Sequence, residues 1–366
     1  MKILFLSAAS SIHTVKWVNA LAERGHEVFL VYNKGHEPKG NGMNKNIILI
    51  GLKHKGSLGY YINARELSRL AKKINPDVIN VHYASGYGTL ARCANLDNYI
   101  LSIWGSDVYD FPLESKIKNI ILKKNVKSAT YLASTSNCMA KQLKKVMNDE
   151  KLDITITPFG VDLKLFDIEK FQQAEKNETV IGNIKALENK YGIRELNLAF
   201  EELKKNMKKD EKFDKTLKLL VYGEGSQKNA IEQLIKEKGM DDSIKLMGRI
   251  PNKEVPKALH EFDIFCALSQ LDSESFGVAA VEAMAMEKPV VVSDVDGFKE
   301  VTVDTETGFV VPKKDVKLVA EKLKELIVDK NLRAQMGKNG RKRVETLYNW
   351  EDNVTAMEKL YYSTMK

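Results

Sequence analysis

Glu274-Ser275-Phe276-Gly277-Val278-Ala279-Ala280-Val281-Glu282-Ala283-Met284-Ala285-Met286-Glu287-Lys288-Pro289-Val290-Val291-Val292-Ser293 is the stretch that decides the fold. A polar approach through Asp272 and Ser273 leads to a first carboxylate, and a glycine follows at 277. The second carboxylate lies inside an alanine-rich segment with helical period, and a buried strand from Pro289 to Ser293 closes the unit. At about 3.6 residues per turn, a spacing of eight keeps Glu274 and Glu282 on roughly one helix face. The free backbone N–H groups and positive dipole end of that helix would point into the same space. Such a place can hold a phosphate and a polyol together.

The pattern of strand, polar loop and helix recurs on both sides. Upstream, strands read at Ile3 to Leu6, His26 to Val31, Asn46 to Leu52, Val78 to His82, Tyr99 to Ile103 and Tyr131 to Ser134. Helical period occupies Thr14 to Arg24, Ile62 to Ile74 and a lysine-rich segment near 114–127. Around the quoted stretch, strands read at Thr179 to Ile184, Leu217 to Tyr222, Ile244 to Leu246, Ile264 to Ala267 and Gly308 to Val311. Trp350 to Met365 reads as an amphipathic helix. This alternation is the α/β class with parallel sheets wrapped on both faces. With 366 residues, two such domains are expected, facing each other across a cleft. The divisions are an N-terminal domain 1–165, a polar linker 166–178, a second domain 179–348 and a terminal helix 349–366.

Hydrophobic residues at 43% and charged residues at 29% are ordinary for a soluble globular chain. No apolar run reaches the roughly 18–20 residues of a membrane span, and Met1 to Leu6 reads as a first strand, not a leader. Cys93, Cys138 and Cys266 are widely spaced, which gives neither a disulfide framework nor a zinc spacing. Cys266, within the apolar run Phe262 to Leu268, reads as a small packed hydrophobe. The expected compartment is cytoplasmic, with a peripheral place on the inner face of the cell membrane. The net charge of +8 is uneven: residues 1–165 carry 23 Lys+Arg against 13 Asp+Glu, while the remainder carries 34 against 36. The first half therefore faces something anionic, or it simply reflects a lysine-rich composition. Lys116, Lys118, Lys123, Lys124 and Lys127 alternate with Ile117, Ile120, Ile121, Leu122 and Val126. That helix either lies on an anionic membrane surface or packs its isoleucines on the sheet. No interleaving of aromatic and basic residues supports nucleic acid as a partner.

In open α/β sheets ligands bind beyond the carboxyl ends of strands, so the loops after strands carry the candidates. They are Lys185 and Lys190, then Gly223-Glu224-Gly225-Ser226, then Gly248-Arg249-Ile250-Pro251, then Ser269 with the glutamate run. Lysines beside a helix N-terminus can neutralise a diphosphate. Gly277 permits close backbone approach. Taken singly, each has a plain reading: solvated lysines, a glutamate facing water, an ordinary turn. Their order and spacing together change that.

The chain resembles the retaining glycosyltransferases of family 4, which have the GT-B fold. The resemblance rests on Glu274 to Glu282, Ala283-Met284-Ala285, Pro289-Val290-Val291 and Ser293. Asp296-Gly297, Glu300-Val301 and Thr307-Gly308-Phe309-Val310-Val311-Pro312 continue it, and Val221-Tyr222-Gly223-Glu224-Gly225, Met247-Gly248-Arg249-Ile250-Pro251 and Pro158-Phe159-Gly160-Val161-Asp162 precede it. It implies two Rossmann-like domains and transfer of a sugar from a UDP- or GDP-sugar, UDP favoured, to a glycan or lipid-linked acceptor. By that resemblance Glu274 contacts donor sugar hydroxyls and Glu282 holds the ribose diol. Lys185 and Lys190 bind the diphosphate, and Ile250 offers its backbone to the base. Ser275, Phe276, Gly277 and Val278 meet sugar and phosphate, with Gly223 also on the donor side. The terminal helix is expected to return to the first domain.

The chain departs from the family at several places. Glu287 and Asp296 stand where many members have glycine, and Asn183 and Ile184 separate Gly182 from the first lysine. The glycine pair after strand one is absent, and the common His-Gly-x-Asp is Trp104-Gly105-Ser106-Asp107. His13 and Asp107 are the acceptor-side or donor-sugar candidates of the first domain. No Asp-x-Asp run or histidine cluster suggests a metal, so the expectation is no cofactor and no metal. The main catalytic task is then stabilising charge on the leaving diphosphate. A dehydrogenase is disfavoured because no Gly-x-Gly-x-x-Gly follows a strand. A UDP-sugar 2-epimerase-like enzyme and a non-catalytic nucleotide-sugar binder are the alternatives.

Overall fold

The computed structural model describes residues 1–40, 42–172, 177–208 and 216–365. The chain divides into two compact units, Met1–Pro158 with Glu351–Lys366, and Phe159–Trp350. Each is built on a fully parallel sheet, as the α/β reading expects.

In the first unit the strands are β1 (Lys2–Leu6), β2 (Glu27–Lys34), β3 (Ile48–Lys55), β4 (Val78–His82), β5 (Tyr99–Ile103), β6 (Tyr131–Ser134) and β7 (Thr155–Ile156). Their order is β3-β2-β1-β4-β5-β6-β7. The helices are α1 (Ile12–Glu23), α2 (Gly56–Ile62), α3 (Ala64–Ile74), α4 (Gly86–Cys93), α5 (Ser106–Tyr109), α6 (Phe111–Glu114), α7 (Lys116–Ser128) and α8 (Asn137–Met147). The central strands are buried on both faces, which is why they read as continuous apolar runs. Strand β7, of two residues, is too short to leave a pattern. Strand β3 starts later than its apolar run suggests. It is the sheet edge, and its Ile48 and Leu49 stay exposed.

The helix expected over Ile62 to Ile74 is α3, which starts at Ala64, and a further helix, α2, precedes it. Asn63 separates them because its buried side chain is committed elsewhere. Its carboxamide oxygen accepts from the His54 N–H at 3.0 Å, and its nitrogen donates to the His54 carbonyl at 2.9 Å. Helix α7 begins where Ser115 accepts a capping bond from the Lys118 N–H at 3.2 Å.

In the second unit the strands are β8 (Glu178–Ile184), β9 (Thr216–Tyr222), β10 (Ile244–Gly248), β11 (Ile264–Ala267), β12 (Val290–Ser293) and β13 (Gly308–Val311), ordered β10-β9-β8-β11-β12-β13. Around them lie α9 (Ile193–Met207), α10 (Lys228–Glu237), α11 (Val255–Glu261), α12 (Val278–Ala285), α13 (Asp296–Val301), α14 (Val316–Val328) and α15 (Lys330–Leu347). Leu196, Phe200, Leu219, Val221, Ile264 and Leu323 share one core, with Cys266 buried among them. Of the expected linker 166–178, residues 173–176 lie outside the described set. Phe166 is buried, and its carbonyl accepts from the Arg341 guanidinium at 2.6 Å.

Helix α16 (Trp350–Thr364) packs in the first unit from Glu351 onward. Arg24 pairs with Glu351 at 2.9 Å and His26 with Glu358 at 2.7 Å, while the Asn80 carboxamide donates to the Tyr361 hydroxyl at 2.6 Å. Val354, Met357 and Tyr361 are buried beneath.

Glu287 has φ of 55°, left-handed backbone that glycine tolerates best. It follows the end of α12, where the resemblance leads to the expectation of glycine. Glu287→Gly should therefore leave stability unchanged or raise it by up to about 1 kcal/mol, measured as a thermal or urea midpoint. A marked loss would contradict the conformational reading.

Candidate functional site

The chain-order reversal in the second sheet falls between β8 and β11, whose neighbours run outward in opposite directions. Loops leaving the carboxyl ends of these two strands diverge, and the gap between them is where open α/β sheets hold ligands. The β8 loop carries Lys185 and the β11 loop carries Glu274. The Lys185 Nζ meets Glu274 Oε2 at 2.5 Å, with only 14% and 11% of the two side chains exposed. The Ser269 hydroxyl donates to the same carboxylate oxygen at 3.2 Å. Ser269 is itself held in place: its carbonyl accepts from the Ser293 hydroxyl at 2.5 Å, tying β11 to β12.

Lys190 lies in a single 3-10 turn, Asn189–Tyr191, just ahead of α9. Its Nζ and that of Lys185 each lie 5.0 Å from the Tyr191 ring centre. Tyr191 thus gathers both ammonium groups by cation–π attraction. The sequence reading missed this residue, and its signal was only an aromatic next to a candidate lysine. A cavity of about 500 Å³ adjoins Lys190, also lined by Arg194, Gln227, Gln270 and Lys314.

Backbone bonds knit these loops. The Lys185 N–H donates to the Tyr222 carbonyl at 3.0 Å, and the Gly223 N–H donates to the Gly248 carbonyl at 2.8 Å. Gly223 has φ of 150°, and a Cβ there would stand 1.9 Å from the Lys185 carbonyl oxygen. Only glycine lets β9 end this close to the lysine loop, so Gly223 places Lys185.

The one-face argument for Glu274 and Glu282 is corrected by the structure. Helix α12 starts at Val278, so Glu274 lies outside it, in the preceding loop. Gly277, at φ of 79°, turns the chain there, and a Cβ would come within 2.7 Å of the Phe298 ring. That glycine is required by backbone and packing. Glu282 occupies the second turn of α12, half-buried. Ser275 and Phe276 are buried, and the Phe276 ring packs edge-on against Phe159 and Tyr348, both at 5.5 Å. Its side chain is core. The N–H groups of Val278 and Ala279 open the helix. Ile250 is half-buried in the turn after β10.

His13 and Asp107 belong to the first unit. Asp107, expected as an acceptor-side or donor-sugar contact, is committed to backbone in this structure. Its carboxylate is buried and accepts from the backbone N–H groups of Ala84 at 2.8 Å, Gly105 at 2.8 Å and Trp104 at 3.1 Å. Asp107 therefore clamps the β4 loop to the β5 loop, and burial raises its pKa against those bonds. His13 opens α1 with its ring 5.9 Å from Trp104. His82 packs between Phe5 and Trp104, at 4.2 and 4.3 Å, with neither ring nitrogen hydrogen-bonded. Among the described residues no group of three or more His, Cys, Asp or Glu gathers to hold a metal ion.

Burial first, and the nearby His13 second, hold the His82 pKa well below its ordinary value of 6.5. Below pH 6.5 the unfolded chain binds a proton at His82 that the folded chain refuses, so stability falls as pH drops. The contribution approaches about 1.4 kcal/mol per pH unit. His82→Phe should flatten the stability–pH curve between pH 6.5 and 5 by that slope, since Asp107 and His36 are common to both proteins. Parallel curves would contradict it.

Comparisons with known proteins fit this geometry. The family model for glycosyl transferases group 1 matches residues 166–343. A second model, glycosyl transferase 4-like, matches residues 2–136. N-acetyl-alpha-D-glucosaminyl L-malate synthase of Bacillus anthracis is 24% identical over 364 residues, 94% of this chain and 91% of that one. Among solved structures, sucrose-phosphate synthase from Thermosynechococcus elongatus superposes with a TM-score of 0.83 at 20% identity, over 99% and 98% of the chains. Anabaena HepE in complex with UDP gives 0.79 at 16% identity, over 99% and 100%.

Proposed function

The chain belongs to the group 1, family 4-like glycosyltransferases, and from that premise we propose that it moves a sugar from a nucleoside diphosphate sugar, UDP favoured, to a hydroxyl of a glycan or lipid-linked acceptor, retaining the anomeric configuration. The observation that carries this reading is the convergence of Lys185, Lys190 and Glu274 at the switch point between β8 and β11. The structure known with UDP in Anabaena HepE supports the choice of nucleotide. The glucosaminyl malate named for the Bacillus relative supports transfer of a sugar to an acceptor hydroxyl.

As the glycosidic bond breaks, negative charge grows on the leaving diphosphate. Two ammonium groups and the N-terminus of α12 stabilise it in place. Glu274 exchanges its lysine partner for donor sugar hydroxyls and fixes the reacting carbon. Glu282 accepts from the ribose diol. The protein's own cations supply the charge neutralisation, so the reaction proceeds without a metal.

A membrane surface is the partner the first unit fits. Helix α7 buries Leu122 and Val126, but Leu113, Ile117 and Ile120 are 77%, 70% and 52% exposed. Lys116, Lys124 and Lys127 are exposed alongside. Apolar side chains flanked by lysines suit the headgroup region of an anionic bilayer. Among the described residues no helix is long and apolar enough to cross a membrane.

Thermal-shift screening should show stabilisation by UDP-sugars above GDP-sugars. Glu274→Ala should cut transfer by about 10²-fold or more and lower the melting midpoint without abolishing folding, because the Lys185 ammonium loses its partner; full activity would overturn the assignment. Flotation with vesicles containing anionic lipid should carry the protein up at low salt, and Ile117→Glu with Ile120→Glu should leave it at the bottom. Equal flotation of both would remove the membrane role.

A further inference from the structure

The order reversal in the first sheet falls between β1 and β4. A cavity of about 500 Å³ opens there, lined from the loops after β1 and β4 and from α2, α6 and α7. Its walls are ring-rich: Tyr60, Tyr61, Tyr83, Tyr87 and Phe111 contribute, and Lys118 is the one lysine or arginine among its described lining residues. The Tyr60 and Tyr87 rings meet edge to face at 5.3 Å. Tyr60 lies against Gly86, where a Cβ would stand 2.5 Å from the ring, so this wall is preformed. The Tyr87 hydroxyl is already used, bonded to the His36 ring at 2.7 Å and accepting from the Asn33 N–H at 3.3 Å. Tyr87 therefore offers the cavity an aromatic surface more than a polar group. Burial raises the pKa of both Tyr60 and Tyr87, consistent with a dry wall.

Two further features constrain the occupant. No carboxylate or carboxamide stands among the described lining residues, so the usual acceptors for sugar hydroxyls are missing. The elements that line the cavity also carry exposed apolar side chains: Leu58 at 70%, Tyr61 at 46% and Ile62 at 53% on α2, with Leu113 and Ile117 across on α6 and α7. The lysine at the wall has its Nζ 5.5 Å from the Phe111 ring centre and, among the described residues, pairs with the exposed Glu114 of the preceding turn. An apolar hollow with an apolar approach and one cation at its side is complementary to an anionic amphiphile.

We infer that this cavity holds the apolar segment of a lipid-linked acceptor whose phosphate is met by Lys118. The inference deepens the proposed transfer and rests on it for the word acceptor, while the binding itself can be read separately. The occupant leaves Glu114 to solvent as its phosphate takes the Lys118 ammonium, a charge-assisted exchange.

The test is calorimetric titration of the full chain with farnesyl phosphate, a short soluble lipid phosphate, with farnesol and inorganic phosphate as controls. Farnesyl phosphate should bind, and inorganic phosphate should not. Lys118→Gln should weaken farnesyl phosphate about tenfold and leave farnesol unchanged. Ser57→Trp, at an exposed position on the cavity mouth, should weaken both about tenfold. UDP titration of the same samples reports the other unit. UDP binding without farnesyl phosphate binding overturns this inference and spares the transferase reading. Farnesyl phosphate binding that ignores both substitutions also overturns it, because the amphiphile then lies elsewhere. Loss of UDP binding with farnesyl phosphate binding intact counts against the donor reading alone. Circular dichroism melts confirm that both variants fold.

Discussion

The second unit turns on one ion pair. Lys185 and Glu274 meet at 2.5 Å, each almost enclosed, at the point where two central strands send their loops apart. Either charge left alone there would cost stability, since an unpaired charge largely out of water is penalised. Held together, they keep a polar site assembled before any ligand arrives. On the proposed reading, a nucleotide sugar brings what each needs in exchange: phosphate oxygens for the ammonium, hydroxyls for the carboxylate. A preassembled site of this kind needs little reorganisation when charge develops on the leaving group.

The surrounding sequence serves that pair through close backbone approach. Gly223 lets β9 finish against the Lys185 carbonyl, and Gly277 turns the chain so that Glu274 stays in the loop while α12 starts behind it. Gly297 does the same from the far side, where a Cβ would stand 2.2 Å from the Glu274 carbonyl oxygen. Ser293 and Ser269 pass the position of β12 on to the carboxylate. The glycines that look like ligand-binding loops in the sequence are thus largely devices for placing two side chains.

Strands buried on both faces announced themselves as apolar runs, and the parallel architecture followed from their alternation with helices. Lys185 and Glu274 were legible because both follow strands. Their pairing was not, because strand order is decided by non-local contacts between β8 and β11 that no local pattern carries. The helical spacing of Glu274 and Glu282 misled for a definable reason: Gly277 sits at positive φ and stops the helix one turn short. Asp107 looked like a ligand contact, yet three backbone donors claim it. Only the folded loops reveal such a commitment. The lysines of α7 suggested two alternatives, and the structure divides them residue by residue: Leu122 and Val126 inward, Ile117 and Ile120 outward. Glu287 carries a left-handed conformation of the kind glycine adopts most easily, a backbone demand that its residue type does not announce.

The first unit follows the same construction at its own order reversal, with aromatic side chains in place of charged ones. Two switch points of opposite character, one ionic and one apolar, suit the two chemically unlike substrates of a transferase. The most direct test of the ionic one is a crystal structure with UDP bound. The account predicts the diphosphate within hydrogen-bond distance of the Lys185 and Lys190 ammonium groups, the Lys185–Glu274 contact opened, and the ribose diol on Glu282. UDP seated away from the β8 and β11 loops, with that contact undisturbed, would contradict it.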